Sequence, residues 1–140
     1  MSKVAVVYWS STGNTEAMAN LVAEGAKAKG ADVSLLTCAE FNASAVAGFD
    51  AVALGCPAMG DEVLEEGEFQ PMYDEIKGAL AGKKVGLFGS YGWGGGAWMQ
   101  SWEADAKGAG LNVVSAGVIA CGAPDDAASN ECKALGEALA

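Results

Sequence analysis

The feature that most constrains the fold of this chain is a regular alternation between short apolar runs and longer amphipathic stretches. Five segments have the length of strands, the second being weaker than the rest: residues 4–9, 32–36, 51–56, 85–89 and 113–120. The four stronger segments are apolar at successive positions, which is typical of parallel strands covered by helices on both faces. They therefore predict a buried parallel sheet.

Between these runs, apolar residues recur at helical spacing. The predicted buried faces are Met18, Leu21, Val22, Gly25 and Ala26; Phe69, Met72, Ile76 and Leu80; Trp98, Met99, Trp102, Ala106 and Ala109; and Ala128, Cys132, Leu135 and Leu139. Pro124, Asp125 and Asp126 form a helix start, and the short crossover over residues 37–49 has room for one or two turns. The alternation predicts one α/β domain over residues 1–140, a doubly wound five-stranded parallel sheet with helices on both faces.

The charge balance excludes several classes of function. The 140 residues carry 18 acidic groups and 8 basic ones, with a net charge of −10 and no histidine. All the basic groups are lysines. This composition argues against nucleic-acid binding, arginine recognition of a 2′-phosphate, histidine catalysis and imidazole metal sites. We expect a cationic partner.

Compartment and thiol chemistry follow from the amino terminus and the cysteines. About six apolar residues follow Met-Ser-Lys, too few for a signal peptide or a membrane-spanning helix, so we expect a cytoplasmic protein that binds no membrane. The four cysteines form no C-x-x-C pair, which argues against a zinc site and a redox dithiol: Cys38, Cys56, Cys121 and Cys132. We interpret them as free thiols that pack in the core.

A polar loop joins the first predicted strand to the first helix. It consists of Ser10, Ser11, Thr12, Gly13, Asn14 and Thr15. Hydroxyl donors and the unpaired N–H groups of a helix start converge in such a loop, which predicts an anion cradle. The loop has no lysine and matches neither G-x-x-x-x-G-K-[ST] nor G-x-G-x-x-G, so one terminal phosphate monoester is the expected ligand. A serine-rich turn that only caps the helix is the alternative.

Two further loops follow the third and fourth strands, at the same edge of the sheet. The first contains Pro57, Ala58, Met59, Gly60, Asp61 and Glu62, and the second contains Ser90, Tyr91, Gly92 and Trp93. Met59 and Trp93 each offer a polarisable or flat side chain beside the cradle. Trp93 lies among glycines, where no helix or strand would bury it, so we expect it to face a ligand.

Taken together, the motifs S-x-T-G-N-T, P-A-M-G-D-E and G-S-Y-G-W-G, in this order, resemble those of the short-chain flavodoxins. The resemblance covers nearly the whole chain. It implies the strand order 2-1-3-4-5, which flavodoxin itself exemplifies. It also implies a low-potential one-electron carrier with tightly bound, non-covalent FMN, which acts as a monomer with redox partner proteins that have basic docking surfaces and is not an enzyme.

The same resemblance implies roles for the three loops as FMN-binding residues. The phosphate would lie in the loop of residues 10–15 and the isoalloxazine ring between Met59 and Trp93. Glu62 would accept a hydrogen bond from the flavin N3–H, and the Gly60 peptide would turn over to offer its carbonyl to the reduced flavin. The backbone of residues 90–93 would meet the pyrimidine edge, with residues 121–123 nearby.

Residues 61–75 contain seven acids and no base, which concentrates a charge of −7 at the start of the second loop region. We interpret this acidic stretch as steering basic partners and lowering the flavin potential; an ordinary solvated face is the alternative. An FMN-dependent NAD(P)H or quinone reductase and a colourless interaction module remain as other functions. A phosphoacceptor receiver is excluded because its acidic cluster and aspartate are missing.

Overall fold

The computed structural model of the chain describes residues 2–11, 13–59, 63–92 and 95–140. The described residues form six strands: β1 (Lys3–Tyr8), β2 (Asp32–Thr37), β3 (Ala51–Gly55), β4 (Lys84–Tyr91), β5 (Asn112–Val113) and β6 (Val118–Cys121). The five α-helices within these ranges are α1 (Asn14–Ala28), α2 (Ala43–Val46), α3 (Phe69–Ile76), α4 (Ala97–Gly108) and α5 (Asp126–Leu139). Short 3-10 turns cover Cys38–Glu40 and Lys77–Leu80.

All strands pair in parallel, in the order β2-β1-β3-β4-β5, and β6 also pairs with β4. This arrangement confirms the predicted doubly wound sheet and the strand order that the resemblance implied. The strand order reverses between β1 and β3, which places the switch point at their carboxyl ends. The loops after β1, β3 and β4 therefore meet at one edge.

The fifth strand departs from the prediction of one continuous run over residues 113–120. Residues 112–113 pair with residues 84–85, and residues 118–121 pair with residues 88–91. Between these two pairings the chain has four residues, 114–117, where β4 has only two, 86–87. The backbone of residues 114–117 therefore bulges away from the sheet. The bulge brings Gly117 against Met99 of α4, and the Gly117 N–H donates to the Glu103 carboxylate.

Two apolar layers cover the two faces of the sheet. One contains the aromatic residues of α3 and α4, including Phe69, Tyr73, Trp98 and Trp102, and the other lies under α1 and α5. The predicted core is confirmed with two exceptions: Leu21 is only half-buried, and Ala109 lies exposed beyond the end of α4. The short crossover holds one 3-10 turn and one short helix, as predicted.

Helices α1 and α5 approach each other closely through two glycines. A Cβ atom at Gly136 would overlap the Val22 carbonyl oxygen, and one at Gly25 would overlap the Lys133 carbonyl oxygen. Glycine is therefore required at both positions for this separation of the helices. The start of α5 agrees with the prediction, since the Asp125 carboxylate accepts from the Ala128 N–H at 2.8 Å.

The four cysteines are free, as expected, but they differ in their surroundings. Cys38, Cys56 and Cys132 are buried, whereas Cys121 is exposed at the end of β6, so its predicted packing role is wrong. The edge strand ends at Cys121 and the chain turns away from the sheet there. No helix in the described part of the chain is long and apolar enough to cross a membrane.

Candidate functional site

The loop after β1 is organised by the Ser10 hydroxyl. Its oxygen accepts from the N–H groups of Gly13 at 3.1 Å and Glu16 at 3.3 Å, which leaves its own hydrogen free to donate. Gly13 adopts a left-handed conformation with φ of 93° and starts α1 without a side-chain cap of its own. The first N–H groups of α1 lack intrahelical acceptors and form the positive end of the helix dipole.

Thr15 lies in the first turn of α1 with its side chain almost fully buried, at 1% exposure. Its hydroxyl oxygen finds no hydrogen-bond partner among the described residues. A buried hydroxyl without a partner is costly, because desolvation is not compensated. An anionic oxygen seated on this turn would supply the missing acceptor, so the residues present fit a phosphate group.

The loop after β3 is tied to the loop after β4 through backbone groups. The Ala58 N–H donates to the Ser90 carbonyl at 3.0 Å, and the Met59 N–H donates to the Val63 carbonyl at 3.0 Å. Pro57, Ala58 and Met59 are all half-buried. The second bond joins Met59 to the far side of the undescribed residues 60–62 and closes the loop on itself.

The loop after β6 joins the same cluster, in keeping with the position that the resemblance implied for residues 121–123. The Ser90 hydroxyl, which is buried, donates to the Gly122 carbonyl at 2.7 Å, and the Gly122 N–H donates to the Tyr91 carbonyl at 2.8 Å. These bonds commit the side chain of Ser90 and the carbonyls of both β4 residues to the protein itself. They fix the positions of the loops around this edge of the sheet.

A cavity of about 330 Å³ opens where the four loops meet. It lies outside the carboxyl ends of β1, β3 and β4, where open parallel sheets bind ligands. Its lining consists of Ser11, Asn14, Pro57, Ala58, Met59, Ser90, Tyr91, Gly92 and Gly122. Eight of these nine are predicted site residues, and Gly122 comes from the loop that was expected to approach.

The remaining predicted site residues divide into two groups. Ser10, Gly13 and Thr15 lie in the same turn as Ser11 and Asn14 but not in the lining of this cavity. Thr12, Gly60, Asp61, Glu62 and Trp93 lie outside the described residues. The expected contacts of Gly60, Glu62 and Trp93 with the flavin therefore stay predictions.

A second groove, of about 380 Å³, runs beside the first loop on the β2 side. Two of its side-chain hydrogen bonds join Tyr8 Oη to Glu16 at 3.1 Å and Trp9 Nε1 to Glu68 at 3.3 Å. Partial burial and the Glu16 carboxylate raise the pKa of Tyr8. Although this groove is the larger, it lies on one side of the switch point, and Ser10 is the one predicted site residue among the described residues that line it.

Two carboxylates of the acidic stretch have structural roles. The Glu65 carboxylate accepts from the N–H groups of Gly67, Glu68 and Phe69 at 2.7 to 2.8 Å, and so caps α3. The Glu75 carboxylate accepts from the Ala43 N–H at 2.8 Å at the start of α2. Part of the charge is thus explained by helix capping, which sequence reasoning missed because capping and solvated carboxylates look alike in a run of acids.

These features define a doubly wound α/β protein with a cofactor-sized cavity at the switch point and, beside it, a helix start whose free N–H groups fit an anion. The flavodoxin family model matches residues 6–136. The chain is 48% identical to the flavodoxin of Megasphaera elsdenii over 137 residues, covering 98% of each chain. It is 47% identical to that of Clostridium beijerinckii over 135 residues, covering 96% of this chain and 97% of the other.

The fold comparison agrees with these matches. The solution structure of two-electron reduced Megasphaera elsdenii flavodoxin superposes with a TM-score of 0.90 and covers 97% of both chains. The chain belongs to the flavodoxin family. It is an FMN-binding electron carrier rather than an enzyme, and it works with redox partners.

Proposed function

We propose that the cavity at the switch point holds FMN, with the phosphate on the turn of residues 10–15 and the ring between the loops after β3 and β4. The observation that carries this assignment is the convergence of Ser11, Asn14, Met59 and Tyr91 on one cavity. The orphaned hydroxyl of Thr15 supports the position of the phosphate. The ring is assigned to the other two loops because they supply the apolar part of the lining.

Bound FMN supplies a redox centre that takes up one or two electrons. The chain's own contribution is to hold it and to set its potential. The turn after β1 provides the Ser10 hydroxyl and the helix N–H groups, whereas Pro57 and Ala58 keep part of the cavity wall apolar. The net charge of −10 raises the free energy of adding electrons to any bound group, so we expect low potentials.

The assignment is tested by comparing FMN with riboflavin, which lacks the phosphate. Titration of the apoprotein, followed by flavin fluorescence, is expected to give an affinity at least about a hundredfold higher for FMN, because several charge-assisted hydrogen bonds are lost with riboflavin. Equal affinities would contradict a phosphate site. Anaerobic reduction of the loaded protein by NADH or NADPH alone would favour the reductase alternative.

We further propose that redox partners dock through a basic surface onto the acidic stretch. Within it, Glu66, Glu68 and Asp74 are exposed, and Glu66 directly follows the residue that caps α3. Exposed charges of one sign steer an oppositely charged partner and lose their effect at high salt. Electron transfer to a basic c-type cytochrome should therefore slow as ionic strength rises.

A pair of charge reversals locates this docking surface. Glu66→Lys is expected to lower the transfer rate about two- to fivefold at low salt. Glu137→Lys is the matched control, since Glu137 is exposed near the end of α5, where Lys84 at the start of β4 reaches the Ala138 carbonyl at 3.5 Å. That position lies near the amino ends of the strands, at the end of the sheet opposite the cavity. Equal effects of the two reversals would show that only the net charge matters.

We also propose that the protein is a monomer in a reducing compartment. Large apolar side chains exposed in the described part of the chain are confined to Leu35 and Val63, which is too little for a stable dimer interface. The free state of the four cysteines supports a compartment such as the cytoplasm. Sedimentation velocity at increasing concentration tests the monomer, and a dimer at micromolar concentration would contradict it.

A further inference from the structure

The loop between β3 and α3, residues 57–64, is closed at its base by a hydrogen bond to sulfur. The Glu65 N–H, just beyond the loop, donates to Sγ of Cys56, just before it, at 3.3 Å. The two residues are nine positions apart in the sequence. The bond therefore joins the beginning and the end of the loop that contains Met59.

Cys56 is itself held firmly. It is fully buried, its N–H donates to the Phe88 carbonyl at 3.1 Å, and its carbonyl accepts from the Trp98 indole N–H at 3.2 Å. Its thiol donates to the Pro57 carbonyl at 3.6 Å. Backbone and side chain thus fasten this end of the loop to β4 and α4.

Glu65, at the other end of the loop, is also held by hydrogen bonds. Its carboxylate caps the start of α3, and its carbonyl accepts from the Gln70 N–H at 2.8 Å. Cys56 and Glu65 are thus two fixed points, and the sulfur bond sets the distance between them. Within the loop, the hydrogen bond from the Met59 N–H to the Val63 carbonyl joins these two residues.

We propose that Cys56 is a positioning residue for the cofactor loop, acting through its sulfur atom as the acceptor that keeps the ends of residues 57–64 together. This inference rests on the proposed assignment of the loop to FMN. The thiol is suited to this task because burial raises its pKa to about 12, so it stays neutral, donates to Pro57 and accepts from Glu65. It acts on the cofactor through the loop and not by contact.

The bond itself is tested on the apoprotein by amide hydrogen exchange followed by NMR. In Cys56→Ala the Glu65 amide should exchange at least about tenfold faster relative to the Val6 amide in β1, because its partly buried N–H has lost its acceptor. Cys132→Ala is the matched control, since Cys132 is also fully buried but has no side-chain hydrogen bond within the described residues. An unchanged Glu65 to Val6 ratio in Cys56→Ala would overturn the proposal.

Cys56→Val keeps the test decisive if the alanine variant does not fold. Valine has nearly the volume of cysteine but no hydrogen-bond acceptor in its side chain, so the same exchange ratio should rise as it does in the alanine variant. A ratio equal to that of the wild type, in a variant whose amide spectrum is otherwise changed only near residue 56, would overturn the proposal.

The effect on the cofactor is measured separately on the loaded protein. Cys56→Ala should weaken FMN binding about three- to tenfold and change the separation of the two one-electron potentials, whereas Cys132→Ala should leave that separation unchanged. Faster exchange at Glu65 with unaltered binding and potentials would overturn the positioning role. Failure of the FMN assignment would show differently, as a riboflavin affinity equal to that for FMN in the wild type.

Discussion

The Glu65 carboxylate accepts a hydrogen bond from the Phe69 N–H at 2.8 Å and thereby caps the first turn of α3. Two further N–H groups, of Gly67 and Glu68, donate to the same carboxylate. We expect Glu65→Gln to lower the free energy of unfolding of the apoprotein by about 1 kcal/mol, since one acceptor oxygen and the charge are lost. Urea denaturation of the two proteins measures this difference in the free energy of unfolding.

The neighbouring acid provides the control for this variant. Glu66→Gln removes the same charge from an exposed position whose side chain makes no hydrogen bond to another described residue. Its unfolding free energy should match that of the wild type within about 0.5 kcal/mol. Equal losses in the two variants would mean that net charge, and not the cap, is responsible.

The same carboxylate makes a specific contribution to the pH dependence of stability. Partial burial opposes ionisation of Glu65, but the three N–H donors outweigh it and lower its pKa below the ordinary value of 4.5. Its stabilisation is therefore complete above the unfolded pKa and lost as the pH falls through the folded one. The stability difference between wild type and Glu65→Gln should shrink between pH 5 and pH 3; a constant difference would contradict the assignment.

The contact between α1 and α5 predicts that alanine is destabilising at a glycine inside the contact but not at a glycine outside it. Gly136→Ala should destabilise the protein by about 1 to 3 kcal/mol, because the methyl group would overlap the Val22 carbonyl oxygen. Gly108→Ala, in an open position at the end of α4, should be neutral or stabilise by about 0.5 kcal/mol. Thermal unfolding followed by circular dichroism compares them, and a loss of stability in both would refute the explanation.

The orphaned hydroxyl of Thr15 should contribute to cofactor binding but not to the stability of the apoprotein. Thr15→Val keeps the shape but removes the hydroxyl, so the apoprotein should be as stable as the wild type or more so. FMN affinity should fall about tenfold, equivalent to about 1.4 kcal/mol, because a charge-assisted hydrogen bond is missing.

Two comparisons complete that experiment. Thr15→Ser retains the hydroxyl and should bind FMN nearly as tightly as the wild type. Riboflavin binding should be the same in Thr15→Val and the wild type, since the phosphate is absent from the ligand. If Thr15→Val weakened riboflavin as much as FMN, the hydroxyl would not serve the phosphate.

Much of the fold was predictable because its signals are local. Apolar runs identified β1, β3 and β4 to within one or two residues at most ends, and the strand-end rule placed Ser11, Met59 and Tyr91 around one cavity. The break in the fifth strand was not predictable. It depends on the contact of Gly117 with α4, which involves residues distant in the sequence.

The site was predictable in its loops but not in how they are held. The hydrogen bond from Glu65 to Cys56 joins a backbone group to a sulfur atom, and no sequence pattern marks such a pair. The cap on α3 was hidden for another reason, since Glu65 is one of seven acids in a single stretch. Such contacts depend on three-dimensional positions that composition and periodicity do not specify.

A map of amide chemical shifts, recorded as FMN is added to the apoprotein, tests directly whether the cavity at the switch point holds the cofactor. If the cavity at the switch point holds the cofactor, the largest changes will include the amides of Asn14, Thr15, Ala58, Met59 and Tyr91. Changes centred instead on Thr37 and Cys38, in the groove on the β2 side, would contradict the assignment.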